Sequence, residues 1–342
     1  MKSAGRRTRI VMVITVLLLS LSAIPFIRGE YPRIPPHRVP RVVYVHSSLG
    51  FEFSIFARGD RAGGYTHGTL EEIGKYDRAG QIEARYIHNM PAIANEMIWF
   101  ATLGKPDIIV TFWTARVAVE EAARKNPEQQ FLLIDAFTDA PNVRGIRFAE
   151  HEGSYLAGVV ATRLSHTGVV GYLGGMDIPI VRRFAVAFEQ GAREESSSIR
   201  VVGAYGHHFG SPDESGIASR LINEGVDVIL IIGGISSIDV ARQAGIRAIC
   251  ADADVRYLAP GTIVTCVEKY EALVVREVLE DIIACRFEGG NHVYDLASGG
   301  TRLTPFYPDD AIPEEIGRRI EDVRKEIVSG RRHVIDAMIP SP

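Results

Sequence analysis

The segment VDVILIIGGISSIDVARQAGIRAICAD, residues 226–252, decides the fold. Its apolar run at 228–232 is short, rich in isoleucine and bounded by Gly233 and Gly234, so it reads as a strand covered on both faces. A helix candidate follows at 237–244 and a second strand candidate at 248–251. Strand, helix and strand in this order make a βαβ unit, whose two strands run parallel.

The alternation extends along most of the chain. Further strand candidates lie at 42–46, 82–88, 107–112, 131–135, 169–173 and 201–205. Helix candidates fall between them, near 66–75, 92–103, 115–125, 154–164, 180–192 and 213–223. The chain has 342 residues, and at about 100–200 residues per domain two parallel-sheet lobes fit it. A boundary is expected near 148–152, where a helix rich in small residues begins (Gly153, Ala157, Gly158, Ala161). Small side chains there permit close helix packing. At 313–329, Ile316, Ile320, Val323 and Ile327 share one face, which predicts an amphipathic helix capping the outside of a lobe.

Composition excludes several classes. Hydrophobic residues are 46% and charged residues 23%, ordinary for a folded globular chain and not for a disordered, collagen-like or polytopic membrane protein. The formal charge of −4, from 42 acidic and 38 basic side chains without long one-sign runs, carries no footprint for nucleic acid. Cys250, Cys266 and Cys285 lack zinc-like spacing and allow one disulfide at most.

At the amino terminus, Lys2, Arg6, Arg7 and Arg9 precede an uncharged, mostly apolar stretch at 10–27. This charge order predicts a signal peptide or signal anchor over 1–29, with the remainder exported and any membrane association running through this segment. Pro32, Pro35, Pro36 and Pro40 make 30–40 a stiff linker. No cysteine follows the apolar run, so a lipoprotein anchor is not expected. Without residues 1–29 the body has 33 basic against 42 acidic groups, a net charge of −9.

In doubly wound sheets, ligands bind beyond the carboxyl ends of the strands. Asp135 follows one apolar run, Gly174 and Gly175 another, Gly233 and Gly234 a third, and Asp252 with Asp254 a fourth. Carboxylates accept pairs of hydroxyl or N–H donors, and glycines admit close backbone approach. Together they suit a polyol or nucleoside better than an anion, although each aspartate alone also reads as a helix cap. Tyr65, Phe112, Trp113 and Phe209 are candidate stacking rings; Phe112 reads as core or cleft wall. Phe209, in the polar loop at 207–212, is the one expected to stack.

Catalytic patterns are missing: there is no GxSxG, HExxH, Walker loop or GxGxxG after the first strand. His207, His208 and Asp213 read as a solvated loop before a metal site. Asp252 and Asp254 suit hydrogen bonding as readily as glycoside hydrolysis, and Lys269 as readily a surface ion pair as a ligand contact. A binding protein without cofactor or metal is expected, not an enzyme.

The stretch HEGSYLAGVVATRLSHTGVVGYLGGMDIPIVRRFAVAFEQGA (151–192) closely resembles the signature of the basic membrane protein family. This is a family of ABC transporter substrate-binding proteins that includes purine nucleoside receptors. ADADVRYLAPGTIVTCVEKY (251–270) and IPEEIGRRIEDVRKEIVSG (312–330) resemble its second signature and its closing helix. The resemblance covers about residues 100–330.

The resemblance implies a type I periplasmic-binding-protein fold, with two parallel-sheet lobes joined by a three-crossover hinge. The lobes are expected over 41–148 plus about 262–288, and over 149–261 plus about 289–335. It implies an extracytoplasmic receptor that binds a nucleoside, purine foremost, and presents it to an ABC permease. Carried over by position, Asp135 resembles the aspartate that meets the base and Phe209 the ring that stacks on it. Gly234, Asp252 and Lys269 resemble the groups that hold the ribose hydroxyls. Where the family has Asp-x-Ser-Phe-Asn, this chain has Asp60 through Tyr65 and Thr66, so Tyr65 stands for the first-loop ring and Thr66 for the base-reading amide. A threonine hydroxyl lacks the two-sided hydrogen bonding of an amide, and Trp113 and His46 are the candidates to compensate. A sugar, polyol or other small polar ligand, or a tethered sensor without transport, are the alternatives.

Overall fold

The apolar runs become strands of two separate six-stranded sheets in the computed structural model, which describes residues 39–47, 67–89, 94–307 and 312–338. The first sheet contains β1 (Arg41–Ser47), β2 (Glu83–Asn89), β3 (Ile108–Phe112), β4 (Gln130–Ile134), β5 (Val143–Phe148) and β11 (Gly290–Tyr294), in the spatial order β11-β5-β4-β3-β1-β2. The second contains β6 (Val169–Gly174), β7 (Arg200–Tyr205), β8 (Val228–Ile232), β9 (Arg247–Asp252), β10 (Ile263–Lys269) and β12 (Thr301–Leu303), in the order β12-β10-β9-β8-β6-β7. Every strand pair is parallel except β10 with β12. This is the doubly wound α/β architecture that the alternation predicts.

Helices cover both faces of each sheet. On the first, α1 (His67–Arg78) and α8 (Glu271–Ile283) lie on the face of Val42, Tyr44, Ile108 and Val110, while α2 (Ala94–Leu103) and α3 (Arg116–Lys125) cover Val43, Val45, Ile109 and Phe131. On the second, α4 (Glu150–Leu164) and α5 (Pro179–Glu195) pack on Val170, Val228 and Leu230. The opposite face, with Ile229 and Ile231, meets α6 (Glu214–Asn223) and α7 (Ile235–Ala244). Successive strand residues therefore serve opposite layers, which is why 228–232 is apolar at every position.

Two helices approach unusually closely. A methyl group on Gly158 would lie 2.2 Å from the Phe188 carbonyl oxygen, and one on Gly191 would lie 2.1 Å from that of Tyr155. The small-residue face of α4 thus meets α5 backbone to backbone, as its composition predicts. The amphipathic tail helix, α9 (Glu314–Val328), seats Val323 and Ile327 against Tyr155, Leu156 and Val159 outside the second sheet.

The chain passes between the sheets three times, at 148–150, 269–271 and 294–301. Two expected lobe boundaries move accordingly. Residues 263–269 form β10 and pair with β9, so they belong to the second lobe and not the first. Residues 290–294 form β11 and pair with β5, so they belong to the first lobe and not the second. The run at 263–267 is buried on both faces, which requires a place inside a sheet before the chain can cross.

Strands β5, β10, β11 and β12 and helix α8 are absent from the sequence reading. β5 carries a buried arginine: Arg144 donates to the Glu288 carbonyl (2.8 Å) and pairs with Asp281 (2.8 Å), so a charged residue sits where apolar alternation is expected. β11 is an edge strand with three of its five residues exposed, and its polarity hides it.

Candidate binding site between the lobes

The carboxyl ends of the strands bring the site together. Asp135 lies one residue past β4, Asp252 ends β9 and Lys269 ends β10. Both aspartates adopt the left-handed backbone, at φ 62° and 73°, where Asp and Asn are tolerated better than most residues and where function often concentrates strain. Lys269 Nζ lies 3.1 Å from Asp135 Oδ2 in the first lobe and 3.2 Å from Asp252 Oδ1 in the second. Lys269 is therefore no surface ion pair: its side chain is 3% exposed, as is that of Asp135, whereas Asp252 is 33% exposed.

The trio sits in a wider buried charge cluster at the crossovers. Glu150, at the first crossover, is buried and pairs with Arg183 at 3.0 Å. Arg183 also donates to the Phe148 carbonyl (2.8 Å) and pairs with Asp336 of the tail (2.6 Å). Glu271, just past Lys269, is buried and accepts the Thr69 hydroxyl at 2.7 Å. Burial alone would pull Lys269 down, but the carboxylates of Asp135, Asp252 and Glu150 outweigh it and hold the ammonium above its usual range. Burial pushes Asp135, Glu150 and Glu271 up, because desolvation exceeds what the cations return. Asp252 Oδ1 is buried and faces the Lys269 ammonium, with no further hydrogen bond, while the Asp252 side chain as a whole stays 33% exposed.

On the second sheet, the ends of β6, β7 and β8 carry the remaining expected residues. The partly buried Phe209 ring lies on Gly175: a methyl group there would be 2.5 Å from its Cδ1. Gly234 lies against Gly210, whose Cα would be 2.9 Å from an added methyl, so only glycine fits. Its N–H donates to Glu214 Oε2 at 2.5 Å and is thereby engaged inside the lobe. Glu214, fully buried, also accepts the Gly210 N–H on Oε1 (2.9 Å) and faces the Ser237 hydroxyl at 3.5 Å.

In the first lobe, Phe112 is buried in the core and Trp113, one residue on, is 41% exposed. Phe112 pairs in register with Ile134, so Trp113 and Asp135 leave neighbouring strands at the same level. Tyr65 and Thr66 lie outside the described residues; His46 lies on β1, its side chain outside them. Asp254 is held by Arg256 (2.6 Å) and is no second carboxylate for Asp252. His207 meets Asp213 at 2.7 Å in an exposed pair. Among the described residues no cluster of metal-ligating side chains occurs. Cys250 and Cys266 are buried thiols in register across β9 and β10, and Cys285 is exposed.

Sequence reading missed Glu150, Arg183, Glu214 and Glu271. Each is an ordinary charged helix residue by pattern, and only the tertiary fold buries it. The signal for Glu214 was an acid in the first helical turn after a glycine-containing loop.

Residues 107–336 match the family described as Bmp, ABC transporter substrate-binding protein PnrA-like. The chain is 30% identical over 218 residues to Basic membrane protein A1 of Borrelia garinii subsp. bavariensis, a match covering 60% of this chain and 64% of that protein. It is 27% identical over 237 residues to the ABC transporter nucleoside-binding protein BmpA of Lactococcus lactis, covering 63% of this chain and 66% of that one. To a purine-binding protein of Brucella abortus it is 25% identical over 248 residues, covering 72% and 67%. The chain thus spans somewhat under two thirds of the Borrelia relative. A solved ABC transporter solute-binding protein from Aeropyrum pernix K1 shares the fold, with a TM-score of 0.74 at 21% identity over 87% of this chain and 94% of that one.

Proposed function

Because the chain belongs to the PnrA-like family of ABC transporter substrate-binding proteins, we propose that it is an extracytoplasmic receptor that captures a nucleoside, purine foremost, between its two lobes and delivers it to an ABC permease. Two relatives carry the names nucleoside-binding and purine-binding protein, which supports this ligand class. The observation that carries the reading is Lys269 lying between Asp135 of one lobe and Asp252 of the other.

Such a trio suits a neutral ligand rich in hydroxyl and N–H donors. Its carboxylate oxygens accept those donors, and Lys269 supplies N–H donors in return. A phosphate would meet Asp135, Asp252 and Glu150 at a floor where Lys269 and Arg183 are already engaged, so nucleotides are disfavoured. Phe209 and Trp113, with Tyr65 as expected from the first loop, supply planar faces for the base. Closure places these groups on both sides of the ligand, because buried polar atoms left unpaired are costly. Binding and release, without bond chemistry, complete the cycle.

Among the described residues no helix is long and apolar enough to cross a membrane. The apolar stretch at 10–27 is the proposed export signal and tether, with 30–40 as spacer. Isothermal titration against purine and pyrimidine nucleosides, their 5′-monophosphates and free ribose tests the reading. One-to-one binding of a nucleoside and not of its monophosphate supports it; failure of all nucleosides at millimolar concentration rejects it.

A further inference from the structure

Glu214 is a buried carboxylate with an unusual set of partners. Among the described residues no cation pairs with it: its oxygens meet the N–H groups of Gly210 and Gly234 and the Ser237 hydroxyl, at 2.9, 2.5 and 3.5 Å. Burying a carboxylate without a cation is expensive, and an apolar side chain of similar volume often stabilises as well or better. Stability alone therefore gives a weak reason for an acid here, whereas geometry gives a strong one.

The three partners come from two separate segments. Gly210 lies in the loop after β7, and Gly234 and Ser237 lie in the turn after β8 and the start of α7. Gly175, after β6, is tied into the same layer by its N–H to the Ile232 carbonyl (2.8 Å), and Gly206 by its N–H to the Gly174 carbonyl (2.8 Å). Phe209 is bonded directly to Gly210, whose φ of 70° a glycine adopts without cost. The ring is thus confined from beneath by Gly175 and along the chain by the Glu214 bond to the next residue.

We propose that Glu214 is a positioning residue for ligand binding: its two oxygens clamp the loops after β7 and β8 and so set the height and tilt of the Phe209 ring at the cleft. The inference rests on the stacking role of Phe209 proposed above. It also explains the choice of acid over amide. A carboxylate accepts from both amides, while a glutamine in the same volume has one acceptor oxygen and would turn an NH2 group toward the other N–H. Glu214→Gln therefore keeps packing and removes half of the clamp.

Titration of a purine nucleoside such as adenosine into wild type, Glu214→Gln, Phe209→Ala and the double variant reads the positioning role. Glu214→Gln is expected to weaken binding by about tenfold, the loss of one hydrogen bond to a charged group. On the Phe209→Ala background the same change should weaken it by less than about twofold, since the ring it positions is gone. Equal factors on both backgrounds would overturn the inference. Amide hydrogen exchange of 206–213 and 233–238 reads the clamp without ligand: Glu214→Gln should speed exchange in both segments, and unchanged exchange in both would overturn it. If exchange responds while wild type binds no nucleoside, the clamp stands and the nucleoside reading falls.

Discussion

Lys269 and Asp135 meet across the two sheets, Nζ to Oδ2 at 3.1 Å, although they lie 134 positions apart, Lys269 ending β10 of one lobe and Asp135 following β4 of the other. The contact joins the lobes at the crossovers, and Asp252 completes it from the second lobe.

Removing the cation should therefore harm more than a surface mutation does. Lys269→Met leaves Asp135 buried without its counter-charge and is expected to cost about 3–5 kcal/mol in denaturant unfolding. Adding Asp135→Asn should recover much of that loss. A cost below about 1 kcal/mol for Lys269→Met, the level of an exposed pair, would contradict the burial described.

Glu271 predicts a stability that falls with rising pH. Burial lifts its folded pKa well above the usual carboxyl range, with the Thr69 hydroxyl offsetting part of the shift. Its favourable contribution is complete below the unfolded value of about 4.3 and is lost as pH rises through the folded value. Glu271→Gln keeps an acceptor for Thr69 and carries no charge. Thermal melts should show the variant more stable than wild type at pH 8, with the gain shrinking toward pH 4; a constant difference at all pH values contradicts this.

His151 acts in the opposite direction. Burial and the neighbouring Arg183 push it down to about 4, with Asp336 returning part of the shift. Between the unfolded value near 6.5 and about 4, the unfolded chain binds the extra proton, so stability present above pH 6.5 declines as pH falls. At ~1.4 kcal/mol per pKa unit the loss reaches a few kcal/mol at most. His151→Gln should flatten this part of the profile in urea titrations at pH 7, 5.5 and 4.5.

The contact between α4 and α5 makes a prediction about packing. Gly191→Ala places a methyl group 2.1 Å from a backbone oxygen that cannot swing aside. The helices must separate, at about 1–3 kcal/mol by denaturant unfolding. Gly216→Ala, where nothing lies within 4 Å of the added methyl, is the control and should be neutral or slightly stabilising.

Much of this molecule was legible in its sequence. Strands such as 228–232 declare themselves because both faces are buried, and Asp135, Asp252 and Lys269 end strands where α/β folds keep their ligands. The hinge was placed less well, since β10 and β11 belong to lobes that only strand pairing reveals. The charged framework was invisible for a related reason. Arg183 and Glu150 are separated by 33 positions and meet through the packing of α4 on α5, which two glycines bring into backbone contact. Lys269 read equally well as a surface charge, because nothing local to it reports that two carboxylates from elsewhere close over it.

The most direct measurement is a crystal structure of the protein grown with a purine nucleoside such as adenosine. The base should lie against Phe209, and the ribose hydroxyls should lie within hydrogen-bonding distance of Asp252 and Lys269, with both lobes in contact. A nucleoside bound away from these residues, or density for it only on the outer surface of one lobe, would contradict capture between the lobes.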